Sequence, residues 1–108
     1  MSAPTSDDGL KIARQIKDLI RNHTPTLPVR RVLLFGSVAR GEARDHSDID
    51  IAVICEPFDR SKVKEARQIY ALSPDINAGV EFVILHPDDL QNPFSSIART
   101  VEKEGIEV

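Results

Sequence analysis

The segment RVLLFGSVARGEARDHSDIDIAVIC, residues 31–55, joins two apolar runs through a glycine–serine turn and a polar stretch. Its first run, residues 31–35, is short and stops at Gly36, which is typical of a buried strand. Its second run, residues 48–55, alternates between polar and apolar residues and then becomes wholly apolar, which predicts a second strand. The sequence therefore predicts two strands connected by a loop that begins with a turn.

The rest of the chain predicts helices and further strands. Apolar residues recur at helical spacing over residues 10–20, and Asp7 and Asp8 are the candidate caps of that helix. Residues 80–85, VEFVIL, predict a third strand, and another helix is expected from Pro93. Three or four strands alternating with helices predict an α/β or α+β fold, in which helices pack on a small mixed sheet.

The composition limits the classes of protein to which this chain can belong. Its 108 residues allow one core and one site, so a single domain spanning residues 1–108 is expected. The longest apolar runs have four or five residues, far fewer than the ~20 that a membrane span requires. The net charge of −3 argues against extended nucleic acid as a partner. We expect a cytoplasmic protein that does not bind a membrane.

Cysteine and histidine do not indicate a zinc site in the sequence. The single cysteine, Cys55, ends an apolar run and is interpreted as a small buried hydrophobic residue. One cysteine also excludes an intramolecular disulfide. His23, His46 and His86 show no paired spacing with one another or with Cys55, so no zinc site is predicted.

The turn after the first predicted strand is suited to binding an anion. Backbone N–H groups and the hydroxyl of Ser37 can face a phosphate there, and the short helix that follows adds the positive end of its dipole. A side chain in place of Gly36 would keep a phosphate away from the backbone. A glycine–serine pair after a strand is also compatible with an ordinary turn and helix cap.

Acidic residues follow this turn. Asp48 and Asp50 point to the same face of a strand, about 6–7 Å apart, and repel each other unless a cation lies between them. Mg²⁺ is commonly held by one or two carboxylates plus substrate phosphates. If the second and third strands are neighbours, Glu81 joins the pair, to bind a second ion or to take the proton of an attacking hydroxyl. The alternative is a half-exposed acidic strand with a solvated glutamate.

Two arginines, Arg40 and Arg44, lie between the turn and the carboxylates. Either guanidinium could lie along the phosphates of a nucleotide and offset the charge that develops there. The alternative is a solvated loop with Glu42 and Asp45, which is favoured for Arg44. Arg40 is therefore predicted to bind the nucleotide together with the glycine–serine turn.

One motif of the chain resembles the signature of the DNA polymerase beta nucleotidyltransferase superfamily: Gly36-Ser37, ten intervening residues, and then Asp48-Ile49-Asp50. The length and the text RGEARDHSDIDI resemble its minimal nucleotidyltransferases, which are single-domain proteins often paired with an all-helical HEPN toxin. This resemblance implies that the Gly-Ser turn holds a triphosphate and that the paired aspartates bind Mg²⁺. It also implies that Glu81 completes the metal site, where an aspartate is more frequent in the family.

The resemblance also implies a function. It predicts a Mg²⁺-dependent nucleotidyltransferase that transfers AMP from ATP to a hydroxyl of a partner protein, as the antitoxin of a HEPN toxin. Two alternatives remain open: a catalytically silent module that neutralises a toxin by docking, and an adenylyltransferase for a small molecule. An uncovered face of so small a sheet further predicts an oligomer or a heteromeric complex.

Overall fold

The computed structural model describes residues 3–23, 27–72 and 79–108 of the chain. These residues form four strands: β1 (Val29–Phe35), β2 (Ile49–Cys55), β3 (Val80–Leu85) and β4 (Ile106–Glu107). They also form five helices: α1 (Ser6–His23), α2 (Gly36–Ala39), α3 (Lys62–Tyr70), α4 (Pro87–Gln91) and α5 (Ser96–Glu104). Among the described residues, no helix is long and apolar enough to cross a membrane.

The four strands form one mixed sheet in the order β3-β2-β1-β4. β1 pairs antiparallel with both β2 and β4, whereas β2 and β3 are parallel. Parallel neighbours need a crossover connection, and α3 lies in the segment that connects β2 with β3. The small mixed sheet with packed helices that the sequence predicts is confirmed.

Helices cover both faces of this sheet. Because successive strand residues point to opposite faces, Val32 and Leu34 of β1 belong to one core, and Leu33 and Phe35 belong to the other. The first core contains residues of α1 and α3, and the second contains residues of α4 and α5. The expectation of an uncovered face, which is the basis for predicting an oligomer, is wrong because helices of the same chain cover it.

The starts of two helices differ from the sequence prediction. The hydroxyl of Thr5 accepts a hydrogen bond from the N–H of Asp8 at 3.1 Å, and the Asp8 carboxylate accepts one from the N–H of Thr5 at 2.9 Å. Thr5 is therefore the cap of α1, and Asp8 completes a capping box from within the first turn. α5 is capped by Ser95, whose hydroxyl accepts the N–H of Ala98 at 3.3 Å. α5 begins after the predicted start at Pro93, because Ser95 accepts a hydrogen bond from a free N–H group of the first turn.

The strand register determines where the acidic residues lie. Phe35, the last residue of β1, pairs with Asp50 near the start of β2. Asp50 in turn pairs with Glu81 near the start of β3. The end of β1 and the beginnings of β2 and β3 therefore meet at one end of the sheet.

Candidate active site

The turn that follows β1 contains a glycine in a left-handed conformation. Gly36 has a φ angle of 78°, which favours a residue without a side chain. A Cβ atom at this position would overlap the carboxylate of Asp50. The chain continues as the single helical turn α2, closed by a hydrogen bond from the Arg40 N–H to the Gly36 carbonyl at 3.1 Å. The turn and the strand that carries Asp50 are thus in close contact.

Ser37 supplies the first side chain of this turn. It is partly buried, and its carbonyl accepts the N–H of Glu42 at 2.9 Å. Its hydroxyl forms no hydrogen bond within the part of the chain that the structure describes. The first N–H groups of a helix also have no partners inside the helix. Donors are therefore available here for a ligand.

The structure brings the three predicted carboxylates to the same end of the sheet. Asp48 immediately precedes β2, Asp50 is the second residue of β2, and Glu81 is the second residue of β3. Alternation places the two aspartates on one face, and the parallel register places Glu81 beside Asp50 on the neighbouring strand. Asp48 and Glu81 are exposed, whereas Asp50 is half-buried.

The charges of these carboxylates oppose one another. Burial raises the pKa of the Asp50 carboxyl, and the charges of Glu81 and Asp48 raise it further. The Arg40 guanidinium acts on this pKa in the opposite direction. Within residues 3–23, 27–72 and 79–108, none of the three carboxylates forms an ion pair. The site therefore retains uncompensated negative charge.

This set of oxygen donors fits a divalent cation. Mg²⁺ binds one or two carboxylates and keeps its other positions for water and substrate phosphates. Burial is the main cause of the raised pKa of Asp50, and a bound cation would offset the further contribution of the charges of Glu81 and Asp48. The three carboxylates do not form a group whose ligand atoms all lie within 4.8 Å of one another. In the described part of the chain, a group of that kind is formed by Cys55, Glu65 and His86. That second group was not predicted, because its members are far apart in the sequence.

Arg40 lies near the carboxylates, but its guanidinium already has partners. It contacts Glu104 of α5 at 2.7 Å and Glu42 at 3.0 Å. A nucleotide phosphate would therefore have to compete with two carboxylates for Arg40. Arg44 is exposed, and its backbone N–H donates to the Ser47 hydroxyl at 2.8 Å. Arg44 therefore lies in an exposed loop, as favoured from the sequence.

Tyr70 holds the strand that carries Glu81, a role that sequence reasoning missed. Its hydroxyl donates to the Val80 carbonyl at 3.1 Å and accepts the Phe82 N–H at 3.1 Å. Its ring packs edge-on against Phe82, with ring centroids 4.6 Å apart. These contacts fix the backbone on both sides of Glu81. The available signal was a tyrosine at the end of the helix that precedes β3.

The fold and the arrangement of the turn and carboxylates define the class of protein. A crystal structure described as a nucleotidyltransferase from Sulfolobus solfataricus matches with a TM-score of 0.66 and 21% identity, over 94% of this chain and 80% of that chain. A mutant form of the toxin-antitoxin MntA-HpeT matches with a TM-score of 0.56 and 25% identity, over 88% of this chain and 69% of that chain. The fold is that of a nucleotidyltransferase.

Sequence relatives narrow this class to a family. A protein of Methanocaldococcus jannaschii that bears the name of a protein adenylyltransferase is 34% identical over 104 residues, which cover 92% of this chain and 100% of the relative. The family model "Polymerase beta, Nucleotidyltransferase" matches residues 14–108. The chain belongs to this family, which confirms the resemblance found in the sequence, and it is a nucleotidyltransferase.

Proposed function

We propose that this chain is a Mg²⁺-dependent protein adenylyltransferase, which transfers AMP from ATP to a hydroxyl of a partner protein. The supporting observation is the placement of three unpaired, mutually repelling carboxylates beside the Gly36 turn. Like charges at neighbouring positions of a sheet destabilise a fold unless a ligand neutralises them. A divalent cation bound together with a nucleotide provides that neutralisation.

Each residue has a proposed role in binding. The backbone of the Gly36 turn and the Ser37 hydroxyl hold the β- and γ-phosphates, because both offer unpaired donors. Asp48 and Asp50 hold the metal ion, and Glu81 holds a second ion or serves as the base. Arg40 contacts the phosphates after releasing Glu42 or Glu104.

The reaction is a substitution at the α-phosphorus of ATP. The oxygen of the acceptor hydroxyl forms a bond to this phosphorus, the bond to the bridging oxygen breaks, and pyrophosphate leaves. If Glu81 serves as the general base, its carboxylate accepts the proton of the hydroxyl. Bound Mg²⁺ supplies electrostatic stabilisation of the phosphates. The remaining contribution of the chain is positioning, since phosphoryl-type transfer depends mainly on orientation and electrostatics.

The proposed acceptor is a helical toxin of the HEPN class, with residues 1–108 acting as one cytoplasmic domain and as the antitoxin. Two similarities support this assignment. A matching structure is a toxin-antitoxin, and two relatives that each match 92% of this chain bear the name of protein adenylyltransferases.

Label transfer tests the proposal. The chain is co-expressed with the product of the adjacent reading frame and given Mg²⁺ and ATP labelled on the α-phosphate. Three forms are compared: the native chain, Asp50→Asn, and Asp18→Asn, which makes the same chemical change on an exposed face of α1. We expect label on the partner with the native chain and with Asp18→Asn, and its loss with Asp50→Asn.

Two other results would contradict the proposal. A tight complex that carries no label with any form would indicate a silent docking module. Label found only in the small-molecule fraction would indicate an adenylyltransferase for a small acceptor.

A further inference from the structure

Cys55, Glu65 and His86 form a group away from the proposed active site. Cys55 is the last residue of β2, whereas Asp50 is the second, and five residues at ~3.3 Å each place about 16 Å between them. The two residues also face opposite sides of the sheet. Cys55 lies in the core with α1 and α3, whereas Asp50 pairs with Phe35, which lies in the core with α4 and α5.

Three elements bring this group together. The parallel register pairs Ile54 of β2 with Leu85 of β3, so the residues that follow them, Cys55 and His86, are neighbours at the same end of the sheet. Glu65 reaches this point from α3. One ligand atom from each of the three side chains lies within 4.8 Å of the other two.

The carboxylate of Glu65 is fixed by hydrogen bonds on both oxygens. Its Oε2 accepts the backbone N–H of Phe58 at 2.7 Å, and its Oε1 lies 2.6 Å from Nε2 of His86. Backbone groups of this kind orient ligands in metal sites. Glu65 and Cys55 are fully buried, and the His86 side chain is 20% exposed. The imidazole edge therefore provides a path from solvent.

The three side chains together suit zinc better than an ion pair alone. A pair of Glu65 and His86 uses two of the three groups, whereas the sulfur of Cys55, the single cysteine of the chain, also lies within 4.8 Å of ligand atoms of both. Thiolate, imidazole and carboxylate are the donors that Zn²⁺ prefers. One thiolate and one carboxylate cancel its charge, which suits a buried position.

We propose that Cys55, Glu65 and His86 bind one Zn²⁺ ion, with water in the fourth position. Ligand atoms at about 2.0–2.3 Å from zinc stand about 3.3–3.8 Å apart in a tetrahedral site. The side chains therefore have to move by about 1 Å, which opens the contact between Glu65 and His86 and draws in the thiol. The ion joins α3 to the ends of β2 and β3, and it is separate from the nucleotide.

Cobalt substitution tests this site, because Co²⁺ bound to a thiolate shows charge-transfer absorption. With one cysteine in the chain, such absorption can arise from Cys55 alone. We expect the band in the native chain at one Co²⁺ per chain, and we expect Zn²⁺ to displace it. Cys55→Ala should abolish the band. Glu65→Gln and His86→Gln should weaken Zn²⁺ binding more than about 100-fold, since even outer-shell changes cost about 10- to 100-fold.

Two controls make the result specific. His46→Gln removes an exposed histidine elsewhere in the chain and should leave the band unchanged. Asp50→Asn should also leave it unchanged, whereas loss of the ion in this variant would place it in the active site and overturn the proposal. Absence of the charge-transfer band in the native chain would equally overturn it. This last measurement needs no variant, so it holds even if the buried substitutions prevent folding.

Discussion

Gly36 and Asp50 depend on each other, because the Asp50 carboxylate occupies the space that a side chain at position 36 would need. The sequence offers one reason for this glycine, the approach of a phosphate to the backbone. The structure adds a second reason, since the turn and the acidic strand are in contact before any ligand binds. A substitution at position 36 therefore affects phosphate binding and the acidic site at once.

Gly41 provides a matched control for this dependence. Both glycines have positive φ angles, 78° for Gly36 and 73° for Gly41, but a Cβ at Gly41 meets no atom within 4 Å. We expect each alanine variant to lose about 1–2 kcal/mol in the free energy of unfolding from the backbone conformation. Only Gly36→Ala should also abolish nucleotidyl transfer. Label transfer measures the activity of the two variants, and urea unfolding measures their stability. Equal activity would contradict a functional role for the contact between position 36 and Asp50.

The raised pKa of Asp50 predicts a gain of stability when its charge is removed. The pKa of this carboxyl is higher in the folded chain than its ordinary value of 3.8. Its contribution is therefore favourable at low pH and is lost as the pH rises through the folded-state pKa. Asp50→Asn should raise the free energy of unfolding at pH 7 by roughly 0.5–1 kcal/mol.

The same substitution should lower the transfer rate at least about 100-fold, since it removes a ligand of the ion that supplies charge stabilisation. The stability gain should shrink as the pH falls toward 4 and also when Mg²⁺ is added to both forms. Denaturant unfolding over this pH range, with and without Mg²⁺, measures both effects. A gain that does not depend on pH would mean that charge is not its cause.

β3 is an outer strand of the sheet, and the helix before it protects its free edge. Tyr70 at the end of α3 binds the backbone of Val80 and Phe82, which an additional strand would otherwise contact. The crossover helix thus connects two functions. It covers one face of the sheet and fixes the position of Glu81 relative to Asp50.

Tyr70→Phe tests this role, because it keeps the ring contact with Phe82 and removes two hydrogen bonds. We expect a loss of about 1–2 kcal/mol in the free energy of unfolding. We also expect a several-fold lower kcat, with KM for ATP little changed, because Glu81 is held less firmly. Unfolding and steady-state kinetics measure these values. An unchanged kcat in a destabilised variant would limit Tyr70 to a structural role.

The ion pair that joins the end of α2 to α5 leads to a prediction about ATP binding. Arg40, the residue after α2, pairs with Glu104 of α5 at 2.7 Å. If Arg40 binds phosphate, Arg40→Gln should raise the KM for ATP about tenfold, the effect of one charged hydrogen bond. Glu104→Gln should leave this KM equal or lower, because it frees the guanidinium. The same increase of KM in both variants would show that ATP binding depends on the ion pair and not on a contact between Arg40 and phosphate. We expect little change in the free energy of unfolding, since exposed ion pairs contribute less than about 1 kcal/mol.

Taken as a whole, the molecule has a sheet covered by its own helices on both faces. A second copy is therefore not required to complete either core. We expect the isolated chain to unfold at a midpoint that does not change with protein concentration, as a folded monomer does. Thermal unfolding over a hundredfold range of concentration measures this. A midpoint that rises with concentration would restore the oligomer expected from the sequence.

The parts of this architecture that could be predicted are the local ones. The strands around Gly36 and the face shared by Asp48 and Asp50 follow from short-range patterns, since the strand period of two fixes which side chains share a face. The covering of the second face by α5 could not be predicted, because an amphipathic pattern does not say which sheet face a helix meets. The group of Cys55, Glu65 and His86 could not be predicted either, because it depends on the strand register and on the path of the crossover helix.

The alternation of β2 has a consequence for the evolution of the chain. This strand carries Asp50 on one face and Cys55 on the other, so one inserted or deleted codon between them would turn one of the two side chains to the wrong side of the sheet. Substitutions inside this strand can accumulate singly, whereas its length has to be inherited unchanged. Connections between strands and helices have no such parity, so length variation among descendants of this gene should be confined to them, outside the ten residues between Ser37 and Asp48 that carry the family resemblance. Insertional scanning of the gene, selecting for transfer activity, would reveal this boundary directly.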